Sequence, residues 1–324
     1  MTSEPAVDVP EGVVVPLIMR RDLIDEGWND RAIAAQIRSG VWTRIRQGAY
    51  VDAQQWHGLS DGDRHLLQVR AVVRQSGTDL VISHASGAPL HGAPTWGLDL
   101  SSVHATRRDG KAGRREAGVR QHRGRILDDD VTVKHGIEVM SATRIGLEVT
   151  TVATAEASLV LINHLLHAGA TTLELLCARY ELGFHFWPHT LKSELVLRRA
   201  TDACESVGES RFWHLCAAFG LPLPVLQHVV TDDAGRTSYR LDFAWPELGV
   251  WVEFDGKIKY AAPWKPDESP ADVLFREKKR EDAIRELTGW ICVRITWADL
   301  ADPTKLVARL RRAFDQAARL RAVS

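Results

Sequence analysis

Over residues 17–40 the apolar positions follow a helical spacing, and just beyond them the spacing falls to two. "LIMRRDLIDEGWNDRAIAAQIRSG" predicts a helix near 17–25 and a turn at Glu26-Gly27. A second helix then runs through Ile33 and Ile37, with Asn29 or Asp30 as its cap and Gly40 as its stop. "VWTRIRQGAYV" alternates apolar and basic residues about Gln47-Gly48, as the two arms of a hairpin do. Helix, turn, helix and wing give a winged helix-turn-helix outline over 17–60. The acidic, Pro-containing stretch before it, 1–16, reads as a loose, flexible tail.

Residues 61–200 predict an α+β and helical middle domain. It opens with a helix near 62–75, a strand "DLVISH" and a short helix "ASGAPLHG", and 151–200 is apolar and helical throughout. From 201 to 324 the pattern changes again. A helix from about Ser206 to Phe219 stops at Gly220, and strands "LQHVVTD", "SYRLDFAW" and "VWVEFDGK" follow. A loop over 261–270 leads to an amphipathic charged helix near 271–288. The strand "WICVRITW" and a last helix from Pro303, capped by Asp302, close the unit. The order αβββαβα predicts a mixed sheet flanked by helices, so the fold class is multidomain α/β.

The third of these strands raises a chemical question. Alternation puts Val250, Val252 and Phe254 on one face and Trp251, Glu253 and Asp255 on the other. If Trp245 and Val250 flank the turn Pro246–Gly249, Asp242 faces Glu253 with Cβ atoms about 5 Å apart. Arg240, Asp242 and Ala244 then share one face, and Tyr239, Leu241 and Phe243 the other. Like charges opposed on a sheet repel. Asp242, Glu253 and Asp255 are therefore either an ordinary solvated face or the ligands of a hard cation, Mg²⁺ or Mn²⁺.

Composition narrows the classes. A chain of 324 residues has room for two or three domains, and 45% hydrophobic with 26% charged residues excludes a disordered chain. The four cysteines include no C-x-x-C pair, which argues against a disulfide framework and a zinc ribbon. "VVVPLI" is too short for a signal-peptide core, and no apolar run approaches a membrane span. A cytoplasmic protein without a membrane partner is expected. The net charge of −1 hides a basic run over 103–126, with eight Lys or Arg against two acids. Such a run is a solvated loop or a footprint for phosphates, with Arg107, Arg108, Arg114 and Arg115 as candidate contacts. In the helix-turn-helix outline Arg31, Gln36, Arg38, Arg44 and Arg46 are the donors presented to DNA. His84 and His91 have no acid or thiol partner at metal spacing and are not read as a metal pair.

"RLDFAWPELGVWVEFDGKIKY" with "FREKKREDAIRELTGWICVRITWADL" resembles the very-short-patch-repair-like branch of the PD-(D/E)XK nuclease superfamily, over about 201–300. The resemblance implies a restriction-endonuclease-like mixed sheet and Mg²⁺-dependent phosphodiester cleavage. It implies Asp242 and Glu253 as the strand carboxylates and Glu209, in "SVGESRFW", as a helix-borne acid. Ser206-x-x-Glu209 is also a capping box. The superfamily's Lys two residues after the Glu is Asp255 here, which leaves Lys257, Lys259 or Lys278 to supply the charge. Arg280 and Arg294 are candidates for DNA phosphates, a solvated helix face being the other reading of Arg280. "GVWTRIRQGAYV", "ISHASGAPLHG" and "MSATRIGLEV" resemble the winged-helix and following region of AbiEi-type antitoxin regulators, over about 17–150, with Glu148 where that family commonly has Asp. This second resemblance implies DNA binding, and a homodimer and a cognate toxin or defence partner are compatible with it. The expected function is that of a DNA-binding metal-dependent endonuclease of defence or repair. Its rivals are a non-catalytic antitoxin-type regulator with an inactive nuclease fold, and an RNA-directed nuclease.

Overall fold

The computed structural model describes residues 10–232, 235, 238–256 and 270–323. The protein is mixed α/β and divides into two compact units, Met1–Thr201 and Asp202–Ser324. Among the described residues no helix is long and apolar enough to cross a membrane.

The first unit begins with α1 (Glu11–Val14), β1 (Ile18–Met19), α2 (Arg20–Asp25), α3 (Asp30–Arg38), β2 (Trp42–Arg46) and β3 (Ala49–Asp52). The strands form a sheet in the order β1-β3-β2. Asn29 caps α3 by accepting from the Ala32 N–H at 2.9 Å, and Leu23, Ile33 and Tyr50 pack together beneath it. Two expectations change here. The first helix starts at Arg20, because Ile18 and Met19 are spent pairing with Tyr50 and Ala49 as a strand. The part of the expected flexible tail that is described is held in place. Arg70 donates to the carbonyls of Gly12 (3.0 Å) and Val15 (2.6 Å), and Val15 is buried with Val51, Leu59 and Leu67. Residues 1–9 of that tail lie outside the described residues.

The unit continues with α4 (Ala53–Gly58), α5 (Asp61–Gln75), β4 (Leu80–Ile82), β5 (Val103–Arg107), β6 (Arg115–Glu116), β7 (Val119–His122), β8 (Val131–Lys134) and β9 (Ile137–Met140). Helices α6 (Ala142–Val152), α7 (Ala155–His167), α8 (Leu173–Glu181) and α9 (Ser193–Leu197) complete it. The six strands lie in the order β6-β7-β5-β4-β9-β8, with β4/β9 and β5/β7 parallel. The basic run over 103–126 is thus partly sheet, in β5, β6 and β7, and partly exposed loop over 108–114. Val103, Ala105 and Val119 turn inward against Leu66, Val69, Val72 and Val139, and this burial outweighs the charge between them.

The second unit holds α10 (Val207–Ala218), β10 (Val225–Thr231), β11 (Ser238–Trp245), β12 (Val250–Asp255), α11 (Pro270–Thr288), β13 (Ile291–Thr296), α12 (Trp297–Ala301) and α13 (Pro303–Val323). Its sheet runs β10-β11-β12-β13, antiparallel except for the parallel pair β12/β13 that α11 connects. The hairpin register is the expected one, with Trp245 opposite Val250 and Phe243 opposite Val252. Phe243, Trp245, Val250, Val252, Val293 and Ile295 pack against Phe212 of α10 and Leu306 and Leu310 of α13. Trp251, Ala244 and Cys292 pack on the opposite face around Ile284 of α11.

Tyr239 and Leu241 join that second cluster, not Phe243 as strict alternation predicts. The reason lies at Asp242 and its neighbour Gln227. Gln227 has a left-handed φ of 50°, and the residues on either side of it, Leu226 and His228, pair with Phe243 and Leu241 while Asp242 is skipped. Both strands change the face they present at this point.

Gly208, in the first turn of α10, lies flat against Phe254. A Cβ there would sit 2.1 Å from the Phe254 ring, which is itself wedged edge-on against Trp297 with centroids 5.2 Å apart. Gly208→Ala is expected to destabilise this unit by about 1–3 kcal/mol through overpacking, measured by denaturant unfolding. A variant as stable as the parent would show that the ring has room to move.

Candidate functional site

The acidic residues of β11 and β12 meet at the edge of the hairpin where its pairing ends. Arg240, Asp242, Glu253, Phe254, Asp255, Glu277, Arg280 and Arg294 line one cavity of about 250 Å³. Asp242 does not simply face Glu253. The ladder stops at Phe243/Val252, and the Asp242 Oδ2 accepts from the Phe254 N–H at 3.0 Å, which replaces a rung of the sheet. Glu253, 13% exposed at its side chain, accepts from the Arg280 guanidinium, whose other nitrogen donates to the Arg240 carbonyl at 2.6 Å. Burial lowers the pKa of Arg280, and the Asp242 charge works against that shift.

Glu209 reaches this region from α10. Its carboxylate accepts from the Glu205 N–H (2.9 Å) and the Ser206 hydroxyl (2.7 Å), while Ser206 Oγ accepts from the Glu209 N–H (3.1 Å), so the capping role is present. It is also 8% exposed, and burial pushes its pKa up, with the charges of Asp242 and Glu205 adding to the shift. Capping and membership of the acidic group are therefore not alternatives.

The structure sorts the expected cations. Arg280, partly exposed on α11, reaches across to pair with Glu253 on β12 and lines the cavity. Arg294 pairs with Glu281 (3.1 Å) and Glu277 (3.7 Å). Lys278 is exposed and does not line the cavity, since it sits off the helix face that carries Glu277, Arg280 and Ile284. Lys257 and Lys259 lie outside the described residues.

In the first unit, Arg31, Arg38 and Arg44 are exposed, on α3 and β2, with no ion-pair partner among the described residues. Arg46 is different. Its Nε donates to Gln75 (2.7 Å) and its Nη1 to the Ala117 carbonyl (2.5 Å), which ties the hairpin to α5 and to the β6–β7 turn. Arg107 is also withdrawn: it is 7% exposed and bound to Asp109 and Gln121. Arg108 pairs with Glu138 (2.7 Å) and Arg114 with Glu116 (3.4 Å), while Arg115 is exposed near Ser102 (3.5 Å). Arg46 and Arg107 are thus each held to the fold by internal acceptors.

Sequence reasoning missed a second cluster, of histidines. His84 follows β4, His104 is on β5 and His122 ends β7, and one nitrogen from each ring lies within 4.8 Å of the others. Burial holds the His84 ring well below the ordinary imidazole pKa, and lowers His104 to about 4 and His122 to about 2, helped by their proximity to each other and to Arg120. Their sequence separations match no ligand spacing, because the three come from three elements. The signal within reach was that His104 and His122 each stand in a Val-containing strand segment, "VHAT" and "VRQH", as strand-borne side chains of one face would. His91, by contrast, is spent on the Met140 carbonyl at 2.8 Å.

No family model matches the chain. It is similar to the uncharacterized proteins MT2308 and Rv2248 of two Mycobacterium tuberculosis strains. Each is 35% identical over 123 residues, which make up 38% of this chain and 42% of the relative. The match thus spans about two fifths of the length of these relatives.

Proposed function

We propose that the chain binds DNA and hydrolyses its phosphodiester bonds with a divalent cation held by Asp242 and Glu253. The observation that carries this reading is the lining of one cavity by Asp242, Glu253, Asp255 and Glu277 at the end of a β-hairpin, beside Arg280. An all-oxygen, carboxylate donor set of this kind fits Mg²⁺ or Mn²⁺ and not a softer metal. When bound, such a cation neutralises phosphate charge and lowers the pKa of a coordinated water. The element order α10–β10–β11–β12–α11–β13 is also that expected from the PD-(D/E)XK resemblance.

The protein's own residues would divide the remaining work. Asp242 is held by its bond from the Phe254 N–H, which fixes one carboxylate oxygen of a residue that lines the cavity. Arg280 sits where a guanidinium can take charge from a scissile phosphate, and it supplies the cation that Asp255 denies at the superfamily's Lys position. Glu209, made more basic by burial and by the Asp242 charge, stands beside this group from α10.

The sheet β1-β3-β2 with α2 and α3 supports a winged helix-turn-helix reading, with α3 and the hairpin as the DNA-facing elements. In the full chain, Arg38→Ala and Arg44→Ala are each expected to cost about 1–3 kcal/mol of DNA affinity where they read bases. Where they touch phosphate, each should lower the salt slope by about 1. Arg46→Ala should instead reduce stability more than affinity. Electrophoretic mobility shifts over a salt series check this, and unchanged binding in the Arg38/Arg44 double variant would remove these elements from the interface.

One observation favours a second reading, that of a non-catalytic regulator. The Arg280–Glu253 ion pair already neutralises the carboxylate a cation would need. Incubating the full chain with plasmid DNA and Mg²⁺ or Mn²⁺, beside Glu253→Gln, separates the two readings.

A further inference from the structure

We propose that His84, His104 and His122 form a second metal site, for a borderline transition-metal ion of which Zn²⁺ is the best match. The site is independent of the carboxylate cavity and differs from it in chemistry, since imidazole nitrogens select Zn²⁺ over Mg²⁺.

The geometry carries this. The His122 Nε2 lies 3.1 Å from the His104 Nδ1. Two nitrogens on one tetrahedral ion, each about 2.0 Å from it, are about 3.3 Å apart. The Nδ1 edge of His84 faces Ser83 Oγ at 3.0 Å and Glu148 Oε2 at 3.5 Å, which leaves its Nε2 as the ligand atom. A carboxylate behind a ligating imidazole fixes the tautomer and raises the basicity of the ring. Glu148 is itself fully buried and clamped, donated to by Arg144 Nε at 2.8 Å and by the His84 N–H at 3.0 Å.

Packing alone does not account for these residues. Apolar side chains would fill the same space without burying the ring nitrogens of His84 and His104. His84 is also held at a left-handed φ of 52°, a conformation that a non-glycine residue adopts at a cost and that gathers at functional sites. In the structure the His84 ring stacks on His122 with centroids 3.7 Å apart and planes 16° from parallel. The metal-bound arrangement would differ from this stack, because a bound ion lies in the plane of each imidazole that ligates it. His122 is only partly buried, so the fourth position of a three-histidine set opens toward solvent on its side.

The test uses the full chain, stripped with a chelator and titrated with Co²⁺ as the probe. A four-coordinate nitrogen site gives visible absorption far stronger than the six-coordinate oxygen site of the carboxylates. The expected result is one strongly absorbing Co²⁺ per chain, retained in Asp242→Asn/Glu253→Gln, displaced by Zn²⁺, and lost in His122→Gln. As a check that does not depend on colour, Zn²⁺ should raise the thermal midpoint of the wild type and leave that of His122→Gln unmoved. Absence of the band in the wild type, its persistence in His122→Gln, or no Zn²⁺-dependent shift in the wild type would each overturn the site.

Discussion

Arg144→Ala is expected to cost about 3–5 kcal/mol, enough to lower the thermal midpoint of the first unit by roughly ten degrees or more. Arg144 is fully buried on α6, where its Nη1 donates to Asp130 Oδ2 at 3.0 Å and its Nε to Glu148 Oε1 at 2.8 Å. The guanidinium also lies 4.2 Å from the Trp187 ring centroid and 5.9 Å from that of Phe184. Removal strands Glu148, which is 0% exposed and would keep a bond from the His84 N–H alone among those described. Asp130 is affected less, because Arg179 binds it through two bonds of 2.8 and 3.0 Å. The cost comes from the uncompensated acid more than from lost attraction, so Arg144→Met/Glu148→Leu should recover a good part of it. Denaturant unfolding followed by circular dichroism checks both variants. A loss below about 1 kcal/mol in Arg144→Ala would mean that water reaches Glu148.

The second large effect is on cleavage. Glu253→Gln is expected to lower the rate by about 100-fold or more while leaving DNA affinity nearly intact, since the proposed DNA contacts are arginines elsewhere. The structure changes what this variant does to stability. Relief of repulsion from Asp242 would leave the variant at least as stable as the parent, but Glu253 is paired with Arg280, and breaking that pair makes a modest loss the expected outcome. Lys278→Ala should leave the rate unchanged, because Lys278 is exposed and off the cavity. Arg280→Ala should impair cleavage if the guanidinium serves the phosphate.

How much of this was legible in the chain depends on the range of the interaction. The hairpin of β11 and β12 was readable to the register, because a four-residue turn between alternating strands leaves few ways to pair. Helices α3, α10 and α13 announce themselves through their caps and apolar spacing, which are local properties. The sheet of the first unit was not readable. Its parallel pairs join strands separated by connections with no fixed length, and short strands such as Leu80–Ile82 carry too little pattern to be seen. The break in alternation at Asp242 depends on Gln227 in a neighbouring strand, and nothing near Asp242 announces it. That Asp242, Glu253 and Asp255 line one cavity was legible because one hairpin carries all three. For Arg46 and Arg107 exposure was inferred from charge, while their acceptors Gln75, Asp109 and Gln121 become visible only in the fold. His104 and His122 were missed for the same reason.

In the proposed function the carboxylates of Asp242 and Glu253 hold a catalytic cation. The most direct measurement of this is the rate at which the purified chain nicks supercoiled plasmid with Mg²⁺ or Mn²⁺, beside Glu253→Gln at equal DNA occupancy. Metal-dependent nicking by the wild type, reduced about 100-fold or more in Glu253→Gln, is the predicted result. The same trace of cleavage from both proteins, with and without metal, would contradict it and leave the Glu253–Arg280 pair as a structural ion pair in a DNA-binding protein.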